Sequence, residues 1–267
     1  MIKIGVVSFL NTLPLIYGMD NNLVRNNFQL IRDVPSRLAD DLRDQILDLA
    51  LIPAIEYAKS REAYGIVPNI CIGADGPVKS VSLFFRKEIS DIKNVALDTS
   101  SRTSVALAKI ILAEKFGIYP TYIDTRPNLE NMLQVADAAV LIGDVALEAG
   151  AHYSHWIDLA EEWKEWTGYP FVFAVWAGRK GEWNLEQLAP FYKSKELGIK
   201  NIDKIATEYA SEHTHSREFY QTYLQDHIQY DLSEDHIEGL KAFWEMAFYH
   251  GLTEQIPDID FFKNEGS

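Results

Sequence analysis

The sequence predicts an α/β protein of two lobes joined by a double hinge crossing. Short β-rich runs alternate with helical patterns through the first two thirds of the 267 residues. The alternation restarts after an extended segment, VSLFFRK, and a second extended segment, FVFAVWA, leads back before the strands stop. Alternation of this kind builds a mostly parallel sheet, and two crossings between two such blocks make a pair of lobes with a cleft between them.

In chain order, IKIGVVS reads as a strand, NTLPLIYGM as a short helix, FQLIRDV as a strand and PSRLADDLRDQ as a helix with Pro35 in its first turn. LDLALI is a strand that leads into PAIEYAKSR, and IVPNICIGA is the next extended run. After the first crossing, NVALD is a strand and SRTSVALAKIILAEKFG the clearest amphipathic helix in the chain. TYIDT, NLENMLQVA, AAVLI and GDVALEAG follow as strand, helix, strand and helix. From Glu182 four helical stretches are expected, roughly 182 to 194, 200 to 212, 215 to 226 and 233 to 250. The first lobe is therefore expected to combine residues 1–87 with 174–267, and the second to span 88–173. Ligands of such sheets bind at the carboxyl ends of the strands, which here means the cleft.

Composition narrows the function. Apolar residues make up 47% and charged residues 24%, an ordinary globular balance. No run reaches the roughly 18 apolar residues of a spanning helix. The amino terminus, MIKIGVVSFLN, reads as a first strand because Ser8 and Asn11 arrive early and no small-residue cleavage site follows. Together with a single cysteine, Cys71, read as a small buried hydrophobe, this makes a cytoplasmic location the expectation. The net charge of −14 argues against nucleic-acid and anionic-membrane partners. It leaves room for a small anion, because screening lets a few aimed donors outweigh distant carboxylates.

The chemistry-bearing residues cluster where strands hand over to helices. Ser8 and Asn11 in SFLNTLPL stand at the end of the first strand, where Asn11 can cap a helix or meet a ligand with donor and acceptor together. In LDTSSRTSVALAKIIL five hydroxyl residues, Thr99, Ser100, Ser101, Thr103 and Ser104, precede a long helix. Capping needs one of them, and the helix start is a ready anion site for the rest. Arg102 offers a full charge there or an exposed side chain. Alternation along Lys79 to Phe84 places Ser80 and Ser82 on one face of the first crossing. In AAVLIGDVALEAG, Gly143 and Asp144 begin a helix, with Asp144 either its N-cap or a carboxylate at the cleft able to act in proton transfer. Thr167 and Gly168 precede the return crossing, whose aromatics read as core. P-loop, dinucleotide, nucleophile-elbow and metal signatures are all missing, and the seven histidines lie outside these junctions, so no cofactor and no metal are expected.

Taken together, SFLNTLPL, LALIPAIEY, DGPVKSVSLF, ALDTSSRTSVALAKIIL, LIGDVAL and WTGYPFVFAVWA, in that order over roughly residues 1 to 180, resemble the chorismate dehydratases of the futalosine route to menaquinone. The resemblance implies a type II periplasmic-binding-protein-like fold and loss of water from chorismate, a dicarboxylate, to give 3-[(1-carboxyvinyl)oxy]benzoate. It further implies that Thr103, Ser104 and nearby backbone N–H groups hold one carboxylate, while Asn11 and Ser80 hold the reacting ring and its leaving hydroxyl. The proton acceptor is then either Asp144 or the substrate's own enolpyruvyl carboxylate, and the second is preferred. The family often carries Ser where this chain has Ala54. A sister branch that makes 1,4-dihydroxy-6-naphthoate places a His near the position of Asp144, so Asp favours the dehydratase branch. A non-catalytic anion-binding protein or sensor shares the fold and is the competing reading.

Overall fold

The computed structural model describes residues 1–60 and 63–263. Its first block runs β1 (Ile2–Val7), α1 (Leu13–Asp20), β2 (Phe28–Asp33), α2 (Pro35–Arg43), β3 (Leu49–Pro53), α3 (Ala54–Lys59) and β4 (Tyr64–Ala74). The second runs β5 (Val81–Phe85), β6 (Asn94–Asp98), α4 (Arg102–Glu114), β7 (Thr121–Thr125), α5 (Leu129–Val135), β8 (Ala138–Ile142), α6 (Gly143–Gly150), β9 (Trp156–Asp158) and α7 (Leu159–Thr167). The chain then returns through β10 (Phe171–Arg179) to α8 (Leu185–Lys200), α9 (Ile202–Ala210), α10 (Arg217–Thr222), a π-helical turn Tyr223–His227 and α11 (Glu234–Tyr249).

These strands form two five-stranded sheets of order β2-β1-β3-β10-β4 and β7-β6-β8-β5-β9. Each has a parallel core, β2-β1-β3 or β7-β6-β8, followed by an antiparallel strand, β10 or β5. The two antiparallel strands are those that follow the crossings. The crossing segments were expected to bridge the lobes themselves, but each belongs wholly to one sheet. Val81–Phe85 pairs with β8 and β9 in the second sheet, and Phe171–Arg179 pairs with β3 and β4 in the first. The chain changes sheet in residues 75–80 and 168–170, earlier than the boundaries at 88 and 174 read from sequence. The reason is that both segments are apolar enough to be central strands, nearly every residue being buried.

Local rules explain most of the elements. Leu49–Pro53 and Ala138–Ile142 are buried at every position, as parallel strands covered on both faces must be. Pro35 opens α2 at its first turn. Gly168, at φ +79, ends α7 in the left-handed conformation that glycine adopts without steric cost. Thr167 Oγ1 donates to Trp163 O, so these two residues terminate a helix. Charged EEWKEW turns one face inward, with Trp163 fully buried against Phe171 and Phe243, which ties α7 and α11 to the return strand. Cys71 is buried in β4, and burial pushes its thiol well above the ordinary value. Among the described residues no helix is long and apolar enough to cross a membrane.

Candidate active site

The parallel strands β1, β2, β3, β6 and β8 each pass into a helix at the junction between the sheets, and residues at those handovers line the space there. After β1 the chain holds its course through Ser8, whose N–H donates to Asp33 O, and enters a 3-10 turn, Leu10–Thr12. Asn11 lies inside that turn and caps no helix, which frees its amide to face the cleft. Thr12 is the N-cap of α1 but makes no side-chain cap bond. On the opposite lobe, Ser101 is the N-cap of α4, its Oγ accepting from Ser104 N at 3.2 Å and donating to Ser104 Oγ at 2.9 Å. One hydroxyl therefore serves the cap.

The first crossing is pinned before it reaches the site. Lys79 has φ +65, uncommon for a residue with a side chain, and its N–H donates to the buried Asp158 carboxylate at 2.6 Å. The same carboxylate caps α7 through Ala160 N and Glu161 N. Burial raises the Asp158 carboxyl, against these backbone donors. The kink delivers Ser80 to the cleft one residue before β5 begins, so a turn places Ser80, and strand alternation does not. Ser82 lies buried within the second sheet. Gly143 N donates to Ser80 O at 2.8 Å. Gly143 itself has φ +62, and a Cβ there would meet the Phe9 ring at 3.0 Å, so both conformation and space require glycine.

These residues line one narrow, partly open cavity between the sheets, about 50 Å³ in volume with the lobes as they stand. Asn11, Ser80, Ser104 and Gly143 all line it. Thr12, not singled out from sequence, and Ser101, one of the five hydroxyls before α4, line it as well. Thr12 Oγ1 is buried without a hydrogen-bond partner among the described residues, the condition of a group awaiting a ligand. Phe9, Phe173 and Ile72 form apolar walls, so one aromatic of the return strand faces the cavity although the sequence assigned them all to the core. No charged side chain and no histidine lines this cavity among the described residues. Tyr223, from the π-helical turn, sits behind it with its hydroxyl donating to Ser80 Oγ at 2.9 Å.

The remaining predicted residues stand elsewhere. Asp144 is no N-cap of its own helix, since α6 is preceded by Ile142. Its carboxylate reaches across the cleft and accepts from Leu10 N at 3.1 Å, with the Tyr209 hydroxyl in hydrogen-bonding reach. Burial raises the Asp144 carboxyl, while Leu10 and Tyr209 pull it back. Thr103 Oγ1 likewise accepts from Ile55 N at 3.1 Å, in the first turn of α3. Each of these side chains on one lobe thus caps a backbone N–H of the other. Neither lines the cavity. Arg102 joins them as an inter-lobe bridge to Asp40 at 2.8 Å and Glu56 at 2.9 Å, not as a ligand charge or a free side chain. Ser100 is folded onto Asp98, donating from both N and Oγ. Thr99 is exposed and reaches toward Thr125 O, and Ser8 is also exposed. The structure therefore brings together Asn11, Ser80, Ser104 and Gly143, and leaves Ser8, Thr99, Ser100, Thr103 and Asp144 outside the cavity wall.

A larger groove of about 410 Å³ lies on the far side of Tyr223, lined by Leu147, Trp156, Phe219 and His227 among others. Its walls are mostly carbon. The convergent donors mark the smaller, inter-sheet cavity as the site. No group of three or more His, Cys, Asp or Glu side chains among the described residues could hold a metal ion.

Comparison with known proteins agrees with this architecture. A family model described as menaquinone biosynthesis matches residues 2–249. The chain is similar to the chorismate dehydratase of Thermus thermophilus, at 30% identity over 260 residues that cover 91% of this chain and 93% of that protein. It is 29% identical to the chorismate dehydratase of Campylobacter jejuni over 246 residues, 90% of this chain and 94% of that one. Among solved structures it resembles a structural-genomics protein of Archaeoglobus fulgidus, with a TM-score of 0.76 at 18% identity, covering 94% of this chain and 98% of that one. It also resembles the periplasmic aliphatic sulphonate binding protein of Escherichia coli, with a TM-score of 0.67 at 15% identity, covering 100% and 94%. The fold is that of periplasmic-binding-protein-like, two-lobed α/β proteins, as expected from sequence. With the match extending over nearly the whole of both lobes and the site between them, the chain belongs to the menaquinone biosynthesis family.

Proposed function

We propose that this chain is a chorismate dehydratase, a hydro-lyase that removes water from chorismate to give 3-[(1-carboxyvinyl)oxy]benzoate, which the futalosine route to menaquinone would consume. One observation carries the reading. A cavity between the sheets presents neutral donors from both lobes, Asn11, Thr12, Ser80 and Ser104, on a chain alike over most of its length to two chorismate dehydratases.

The chemistry suits such a site. The ring proton lost lies on the carbon bearing the enolpyruvyl ether, conjugated through a double bond to the ring carboxylate. Its removal gives a delocalised anion, and departure of the neighbouring hydroxyl makes the ring aromatic. The protein has to fix the conformation, receive negative charge and help the hydroxyl leave. Ser104 and the start of α4 would hold a carboxylate, with the helix dipole compensating a charge that no cation in the wall meets. Asn11, Thr12 and Ser80 would hold the ring and the departing oxygen. Thr103 and Asp144 would act one step back, keeping the lobes closed.

The Asp144 carboxylate is engaged by Leu10 N outside the cavity wall. This supports the enolpyruvyl carboxylate of the substrate as the proton acceptor, with the protein supplying position. Incubation of the purified protein with chorismate tests the proposal. Loss of diene absorbance with formation of the aromatic ether is the expected result. Chorismate that binds and is recovered unchanged would instead identify an anion sensor.

A further inference from the structure

The segment that carries Tyr223 departs from regular α-helix. α10 ends at Thr222 and winds on through the π-helical turn Tyr223–His227, a rare geometry often found at functional sites. Its effect here is to send one side chain inward. Tyr223 is 2% exposed, and its hydroxyl meets Ser80 Oγ at 2.9 Å and lies within hydrogen-bonding reach of the Asn11 amide. The two groups it touches come from opposite sides of the site, Asn11 from the turn after β1 and Ser80 from the hinge before β5.

Hydrogen-bond direction gives this contact a consequence. A serine hydroxyl has one proton to donate. With the phenol donating to Ser80 Oγ, the Ser80 proton must point elsewhere. Among the described residues it is donated to no protein group, while Ser80 lines the cavity. Ser80 is thereby set as a donor toward whatever oxygen lies in front of it. Burial raises the Tyr223 phenol above its ordinary value, so it stays protonated and keeps donating throughout the neutral range.

We infer that Tyr223 is a positioning residue for dehydration, fixing the Ser80 hydroxyl as hydrogen-bond donor to the departing oxygen and aligning the Asn11 amide beside it. The inference rests on the dehydratase reading. Tyr223 itself transfers no proton. The carbon–oxygen bond breaks with its electron pair on the departing oxygen, Ser80 stabilises the charge developing there, and the proton taken from the ring completes the water.

A double-mutant cycle of Tyr223→Phe and Ser80→Ala, measured as kcat and KM for chorismate, tests this, because Phe keeps the buried ring and removes only the hydroxyl. Thermal unfolding of each variant reads any loss of fold separately from kcat. The expected result is a fall in kcat of about ten- to a hundredfold for Tyr223→Phe with KM changed less than about threefold, as for loss of support to one transition-state donor. In the Ser80→Ala background the second substitution should change kcat by less than about twofold, since the two act as a unit. A kcat for Tyr223→Phe within about twofold of the unmodified protein, or an equal loss in both backgrounds, overturns the inference while the dehydratase reading stands. An unmodified protein that leaves chorismate unchanged removes both.

Discussion

Replacing the Asp144 carboxylate by an amide keeps an oxygen to accept the Leu10 N–H, so Asp144→Asn separates a base from a latch. Turnover of chorismate within about threefold of the unmodified protein is expected, because general-base loss would cost about 10²- to 10⁴-fold. A collapse of kcat with binding intact would make Asp144 the base. The same variant carries a pH signature. Burial raises the folded-state Asp144 carboxyl above 3.8, so folding favours its protonated form. As pH rises from 3.8 through the raised value, ionisation costs stability, and the cost persists above it. The substituted amide does not ionise and bears no such cost, so chemical denaturation should show Asp144→Asn gaining stability relative to the unmodified protein as pH rises from 3.8 through the raised value. At this scale the sequence was half legible. Asn11, Ser104 and Gly143 stood out because each follows a strand end, and Ser80 because it lies on the first crossing. Thr12 and Tyr223 did not, since an isolated Thr reads as a cap and a Tyr in a helical stretch reads as core.

Between elements, the lobes are joined by charges and caps that pair one helix with another. Arg102 at the start of α4 bridges Asp40 on α2 and Glu56 on α3. The Arg102 hydrogen bond is the largest influence holding the Asp40 carboxyl below 3.8. A depressed carboxyl contributes stability above its ordinary value and loses it as pH falls through the folded one. Arg102→Ala should therefore lower stability by about 1 kcal/mol at neutral pH. The gap between the two proteins should close as pH falls from 3.8 through the lowered folded value, readable as converging unfolding midpoints. Gly198 acts differently. In sequence it falls in the break expected between two helices, yet α8 runs through it to Lys200, and a Cβ there would strike the Pro14 carbonyl of α1. Gly198→Ala should cost about 1–3 kcal/mol of stability, seen in thermal unfolding, because the packed backbones must part. A glycine that ends a helix and one that admits a neighbour look alike in sequence. The same limit hid β9, whose three residues are too few for alternation to register, and α7, whose charged face masked its buried Trp163.

Across the whole molecule, the two-lobed α/β plan was legible because strand, junction and helix repeat in both halves with polar residues at the same structural position. The changeover between sheets was not, because a hinge and a central strand can share one apolar signature, and only pairing partners distinguish them. What the assembled molecule adds is the convergence of donors from both lobes into one cavity between the sheets, with side chains just outside it used to hold the lobes together. On the proposed reading the chemistry lies in the inter-sheet cavity, away from the larger apolar groove beyond Tyr223. The direct measurement is a crystal structure of the protein with 3-[(1-carboxyvinyl)oxy]benzoate. The account predicts the ring between the lobes within hydrogen-bonding distance of Asn11 and Ser80, with a carboxylate at Ser104 and the start of α4. Product seated instead in the groove beside Trp156 and Phe219, with Asn11 and Ser80 unengaged, would contradict it.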